Sequence, residues 1–289
     1  MKEVTRYHNS LNTIPMRLWT TEEQNFFFAI LTQIRDEGHE IITFDKFQLK
    51  EFADYTNKNA KDFKKTMDSL ADKLMTLRYR EETSHSLKIM ALFQSFETNW
   101  NDDYSDMSLE VQISNKFEYI VNQLKANFTQ FELEQFTNLR STYAKAMFRY
   151  IKQWRTKGRI GGFPDGEIPK KELFVMLDVP KSMQRADNFK NKVLKPILTE
   201  LSPLFTGLKI KPIKARKAGN PIIAYKITWK PERTGEFVSG KFDKDKKQGK
   251  ILKDVPEWTD EYKLNKAGYD TTGLSQNEMY HLAREKGLK

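Results

Sequence analysis

The same order of elements is written twice along this chain, and few folds accept it. In the first copy, Thr20 or Thr21 caps a helix starting at Glu22, with Thr21 and Gln24 at capping-box spacing. Phe26, Phe27, Ile30, Leu31 and Ile34 give that helix an apolar face, and Gly38 ends it. A short strand follows at 41–44. Asp45 caps a second helix through Phe47, Leu49, Phe52 and Ala53. Asn57 or Asn59 opens a third, with Phe63, Met67, Leu70 and Leu74 at 4-3-4 spacing. Strands are predicted around 77–81, 87–100 and 107–113, with Asn101, Asp102 and Asp103 at the tip of the last hairpin. In the second copy, 131–136 reads as a short helix. Ser141 caps the next, which carries Tyr143, Met147, Ile151 and Trp154 on one side. After a glycine-rich loop at 158–166 come a short strand at 167–168, a helix at 170–177 and a long helix at 187–204. A hairpin then spans 206–214 and 222–229. Pro196 removes a backbone donor from the long helix and predicts a kink there.

Helix, short strand, helix, longer amphipathic helix and hairpin make the winged-helix variant of helix-turn-helix. The expected fold is therefore α+β: two tandem winged-helix domains at 1–125 and 126–231, then a segment at 232–289. That last segment opens with a flexible lysine-rich linker at 241–253 and continues as a short C-terminal tail. Short helices are predicted in the tail at 259–262 and 275–286, and it is too small to bury a core of its own. With 38% hydrophobic residues, 20 of them Phe, the chain has material for two packed interiors. It has no cysteine, which excludes disulfides and thiolate metal sites. Residues 1–10 are polar and unlike a signal peptide, and the longest apolar run, 26–31, is too short to cross a bilayer. The expectation is a soluble, cytoplasmic protein with no membrane partner.

Charge separates the two copies. Residues 1–125 hold 16 Lys+Arg against 20 Asp+Glu, residues 126–231 hold 21 against 8, and residues 232–289 hold 12 against 11. Solubility does not require such segregation. A polyanion does, because each Lys or Arg set on a phosphate releases a counterion. Double-stranded DNA is the expected partner, and the second copy its main reader.

Within that copy, Phe189, Val193, Ile197, Leu201 and Leu204 of the long helix point one way, and Asn188, Asn191, Lys192, Lys195 and Thr199 the other. Lys and Asn are the types that reach guanine, adenine and phosphate. Lys190 projects near the apolar side and is given no role. The turn at 215–221 reads as a wing, with Lys214, Arg216 and Lys217 at its tip. Lys145, Arg149 and Lys152 lie opposite the apolar stripe of the 141–155 helix, flanked by Arg140 and Arg159. They read as a solvated face, with a phosphate grip as the alternative. In the first copy, Lys58, Lys61 and Lys65 form a basic half-face for a secondary DNA contact, while Asp68 and Asp72 offset them. With its net negative charge, this copy is expected to serve protein–protein contact, and its strand at 109–113 offers an edge for pairing two copies.

Catalytic signals are missing. Residues 235–241 fit the first seven positions of a phosphate-binding loop, but Phe242 stands where Ser or Thr must hold magnesium. His8, His39, His85 and His281 are scattered and form no ligand pair, so no metal or other cofactor is expected and the chain does not read as an enzyme.

The ordered set resembles a known family. Residues 141–152 (STYAKAMFRYIK), then 170–173 (KKEL), then 189–201 (FKNKVLKPILTEL) are similar to its aromatic-rich helix, its short helix after a strand and its recognition helix. Asn9, Ser10, Leu11 and Asn12 before the first apolar helix fit as well. The family is that of the iteron-binding replication initiators of theta-replicating bacterial plasmids, of RepA, RepE and π type, and the likeness is nearest to RepB-like members. It covers about residues 5–230. The resemblance implies binding to direct repeats at an origin, with a recognition helix of the second domain in a major groove. It also implies dimers through the first domain that repress, monomers that open the origin and recruit host helicase or primase machinery, and neither nicking nor ATPase activity. The alternatives are a dimeric winged-helix repressor without a replication role, a rolling-circle nickase or primase, and a scaffold that loads a helicase.

Overall fold

The structure, a computed structural model, describes residues 3–233 except Arg17, Lys58, Thr83, Gln123, Lys125, Ala126 and Lys217. Beyond 233 it describes Leu264, Met279, Leu282, Ala283, Arg284 and Lys286. The expected linker at 241–253, the near-match to a phosphate loop at 235–242 and the helix expected at 259–262 lie outside the described residues. Within the other predicted tail helix, Leu282, Ala283 and Arg284 are helical, and the Lys286 N–H donates to the Leu282 carbonyl at 2.9 Å.

The chain begins with a strand that periodicity did not single out. β1 (Val4–His8) is followed by a 3-10 turn, Asn9–Thr13. The long apolar helix α1 (Thr21–Ile34) starts one residue earlier than expected. Thr20 caps it, and the capping box closes with Glu23 rather than Gln24, because the Thr20 hydroxyl reaches the Glu23 N–H while the Glu23 carboxylate returns to the Thr20 N–H. It ends at Ile34, ahead of Gly38. From Phe26 to Thr32 every residue is buried, so α1 is the central post of the first winged helix rather than a surface helix with one wet side.

β2 (Ile42–Asp45) leads into α2 (Lys46–Phe52), capped by Asp45 as expected, and α3 (Ala60–Thr76) opens at Asn59. α3 buries Phe63, Met67, Leu70 and Leu74, the spacing read from sequence. The stretch predicted as one strand at 87–100 is broken. β3 (Arg78–Glu82) and β4 (Leu87–Ala91) form a separate hairpin, while β5 (Phe93–Trp100) and β6 (Met107–Ile113) form the first wing. Leu92 makes the break: its N–H turns to Leu77 and its carbonyl to Ser114. The order β2-β6-β5 places β6 in the middle of its sheet, with Leu109, Val111 and Ile113 buried. The edge expected at 109–113 is therefore already occupied on both sides.

The short helix expected at 131–136 is in fact β7 (Phe128–Glu132) followed by α4 (Leu133–Thr137). β7 pairs antiparallel with β1, from Val4 opposite Glu132 to His8 opposite Phe128. α5 (Thr142–Gln153), capped by Ser141, packs against β7 and the 3-10 turn on one side and against the last long helix on the other. The residues Asn9 to Asn12 are the knot of this region. The Asn12 amide donates to Thr129 Oγ1 at 2.8 Å and to Gln153 Oε1 at 2.9 Å, and Tyr7 donates its hydroxyl to Asn12 Oδ1 at 2.9 Å. The change of charge at 125/126 is thus not a break in packing, and residues 1–237 form one compact unit.

The second winged helix is built from β8 (Glu167–Pro169), α6 (Lys170–Met176), α7 (Ala186–Asn188), a π-helical turn Phe189–Leu194, α8 (Lys195–Leu201), β9 (Lys209–Lys214) and β10 (Ile222–Thr228). Its sheet order is β8-β10-β9. β9 is an edge strand whose Lys209, Lys211 and Pro212 are exposed, a pattern that discourages a further strand from joining. Among the described residues no helix is long and apolar enough to cross a membrane.

Candidate nucleic-acid interface

The helical run 186–201 is anchored by one row of side chains. Phe189, Val193, Ile197 and Leu201 are buried at four-residue intervals, and Phe189 meets the Phe174 ring of α6 at 4.8 Å between centroids. Pro196 is accommodated by widening the turn before it: the Lys195 N–H reaches back five residues to the Lys190 carbonyl, and the proline stands in the first turn of α8, where no donor is required. Leu204, expected on the apolar row, falls beyond the helix end and is 37% exposed. Phe205 fills the core in its place, because the run stops at Leu201 and the chain turns.

With that row fixed, Asn191, Lys192, Lys195 and Thr199 stand exposed on the opposite side, as the sequence indicated, and Lys190 is exposed as well. Asn188 is half-buried, and its amide donates to the Ser182 carbonyl at 2.9 Å. The wing joins β9 to β10. The Ala215 N–H closes it on the Pro221 carbonyl at 2.9 Å, and Gly219 (φ 77°) and Asn220 (φ 43°) take the left-handed backbone that a tight hairpin asks for. Lys214 and Arg216 are exposed there, while Lys217 lies outside the described residues. These elements bring together on one small domain an exposed helix face of amide and ammonium groups and a cationic hairpin, which is what direct readout with flanking phosphate contacts requires.

The first winged helix differs at each matching place. Lys61 and Lys65 are exposed near the start of α3, and Lys58 lies outside the described residues. Exposed Asp62 sits between them and accepts from the Asn57 amide at 3.2 Å, and Lys64 is paired to Asp68 at 2.7 Å. The first wing ends in exposed Asp102, Asp103 and Asp106. It is tied to α2 by Lys46, whose ammonium donates to the Tyr104 and Ser105 carbonyls at 2.6 and 2.8 Å. This wing repels phosphate.

α5 overturns a further expectation. Lys145, Arg149 and Lys152 are not on a solvated face and grip no phosphate: all three are buried, Lys145 at 0% exposure. Both faces of α5 are covered, one by the β1–β7 region and the other by α8, so its cations find interior partners. The Lys145 ammonium donates to Asn25 Oδ1 at 2.7 Å and to the Phe136 carbonyl at 2.5 Å, and lies 4.1 Å from the Phe136 ring centre. Burial pushes its pKa down to about 7, against the opposing pull of the Glu200 and Glu22 carboxylates. Arg149 reaches the Leu11 carbonyl at 3.4 Å, and Lys152 pairs with Glu232 at 3.1 Å. Arg140 and Arg159, at the ends of this region, are exposed. Among the described residues, no three His, Asp or Glu side chains converge as a metal site would require.

Two family models match the chain. "Initiator Replication protein, WH1" covers residues 4–152, and "Initiator Rep protein, WH2" covers residues 169–229. A probable replication protein of Bifidobacterium longum (strain NCC 2705) is 31% identical over 214 residues, which span 72% of this chain and 67% of that protein. Among solved structures, the Pi initiator protein in complex with iteron DNA superposes with a TM-score of 0.57 at 14% identity, over 81% of this chain and 99% of its own. That likeness is one of fold.

Proposed function

The chain belongs to the initiator replication protein family, and on that premise we propose that it starts plasmid replication by binding repeated sequences in origin double-stranded DNA. The second winged helix supplies the readout. Asn191, Lys192, Lys195 and Thr199 enter a major groove, and Lys214 and Arg216 hold the flanking backbone. The observation that carries this reading is the exposed amide-and-ammonium face of 186–201, whose opposite face is locked into the core beside a basic wing. The first winged helix adds a weaker DNA contact through Lys61 and Lys65. It also pairs two copies of the chain through a surface other than β6, whose edges are both taken. Host helicase or primase is recruited to the opened origin, the protein works in the cytoplasm where the plasmid lies, and it carries out no chemical step itself.

The test is a binding titration of the full chain. The wild-type protein first selects a preferred duplex from a randomised library. Lys192→Ala with Lys195→Ala then weakens binding to that duplex and flattens the dependence of log K on log salt by up to about 2, since each phosphate contact is worth about 0.9. Unchanged affinity and slope would place the reading face elsewhere. Rescue of an origin-bearing plasmid that lacks its own initiator gene tests the replication role, and failure of the wild-type chain to rescue it speaks for a repressor.

A further inference from the structure

Two cations beside the reading helix have no part in the readout proposed for it. Lys181 and Arg185 are exposed at the two ends of the stretch leading into 186–201, and neither has a carboxylate within ion-pair distance among the described residues. A connection whose only task is to join two helices is ordinarily loose. This one is braced throughout. The Met183 N–H donates to the Pro180 carbonyl at 2.8 Å, and the Gln184 N–H to the Lys181 carbonyl at 3.2 Å. The Gln184 side-chain amide holds the Val179 carbonyl at 2.9 Å, and the Phe189 N–H holds the Arg185 carbonyl at 2.8 Å. The last brace is the Asn188 amide on the Ser182 carbonyl, at 2.9 Å, which ties the stretch to the first turn of the reading helix.

We propose that Lys181 and Arg185 form a second phosphate grip on duplex DNA, and that Asn188 is a positioning residue for it rather than a reader of bases. The inference rests on the reading that the second winged helix binds DNA. An amide with one N–H committed to a backbone carbonyl four residues before the helix is no longer free to turn for the bidentate pairing that an adenine edge would need. The same bond holds the backbone that carries two long cationic side chains in a set place beside the groove-facing row, so less backbone freedom is lost when they meet phosphate. In chain order the wing supplies the cations after the reading helix, and this stretch supplies those before it.

The experiment uses the full chain, fluorescence anisotropy, and two labelled duplexes: the one that wild-type protein selects from a randomised library, and a scrambled version of it. Lys181→Ala with Arg185→Ala should weaken binding to both duplexes by the same factor, about 30-fold at 0.15 M salt, and lower the log–log salt slope by about 2. The ratio of the two affinities should stay at the wild-type value. Asn188→Ala should weaken both duplexes equally, again with the ratio preserved. An unchanged slope in the double variant overturns the grip. A ratio that collapses in Asn188→Ala makes Asn188 a base reader and overturns its positioning role. Wild-type protein that binds neither duplex overturns the parent reading, and this inference with it.

Discussion

Replacing Lys145 by Met should remove a pH dependence from the stability of the first 237 residues. The ammonium of Lys145 is held by two neutral oxygens and an aromatic ring, and burial lowers its pKa from 10.5 to about 7 in the folded protein. Below about pH 7 both folded and unfolded chains carry the proton, and the cost of burying the charge is present in full. Between about 7 and 10.5 the unfolded chain holds the proton and the folded one sheds it, so stability rises with pH, by about 1.4 kcal/mol per unit. Allowing for the half-titrated state at the lower end, the gain from pH 7 to pH 9 is roughly 2 kcal/mol. Met is unbranched, similar in length and does not titrate, so the variant lacks this slope while every other titrating group is retained. The measurement is urea unfolding of both proteins at pH 6, 7, 8 and 9, followed by tryptophan fluorescence, with a constant m-value confirming the same transition. The series stops at 9 because burial raises the Tyr7 phenol, a shift that removes stability once the unfolded tyrosines begin to ionise near 10. Parallel stability curves for the two proteins would refute the reasoning, and so would a wild-type stability that falls relative to the variant's as pH rises.

At the acid end one responsible group is Glu23. Burial alone would raise its pKa, but hydrogen bonds from Lys73, Ser69 and the Thr20 N–H outweigh this and lower it below the ordinary 4.5. Its contribution is therefore present above about pH 4.5 and lost as pH falls through the folded value, and Glu23→Gln should flatten that limb of an acid unfolding curve. Identical acid limbs would count against it. Gly158→Ala should cost roughly 2–4 kcal/mol, read as a lower thermal midpoint. Gly158 holds φ 69°, and a Cβ there would lie 2.8 Å from the Trp229 carbonyl oxygen, a backbone atom that cannot swing away. An unshifted midpoint would show that the turn can relax.

What the sequence could disclose depended on whether an element meets the core on one side. α3 and the 186–201 run do, so their three- and four-residue intervals alone identified Phe63, Met67, Leu70 and Leu74, and Phe189, Val193, Ile197 and Leu201. α1 is buried all round from Phe26 to Thr32, so the single apolar face read for it understated its burial, and its start was misread by one residue. β1 alternates weakly, and its partner β7 lies more than a hundred residues away, so neither strand is recognisable from its own neighbourhood. The alternation in β6 was visible, but its place in the sheet was not, because sheet order is set by which strands find each other. A helical projection of α5 groups Lys145, Arg149 and Lys152 without showing what covers them. A signal did exist: α5 contains no acidic residue, whereas α3, which has a truly wet face, mixes Lys61, Lys64 and Lys65 with Asp62, Asp68 and Asp72. A solvated helix usually carries both signs, and a run of cations alone asks for carbonyls and rings.

Withdrawing those buried cations leaves the case for DNA standing, since 21 basic groups face only 8 acidic ones in 126–231 and three are removed. What separates the halves is where the remaining cations stand. Both halves use the same sheet-and-helix plan, so the fold cannot decide which of them reads a duplex. The wings can. A backbone of phosphates would push away a hairpin tipped with Asp102, Asp103 and Asp106 and draw in one carrying Lys214 and Arg216. If the first winged helix touches DNA at all, it must do so at the start of α3, turned so that its wing points off the duplex. That orientation leaves the acidic hairpin free to meet protein rather than nucleic acid.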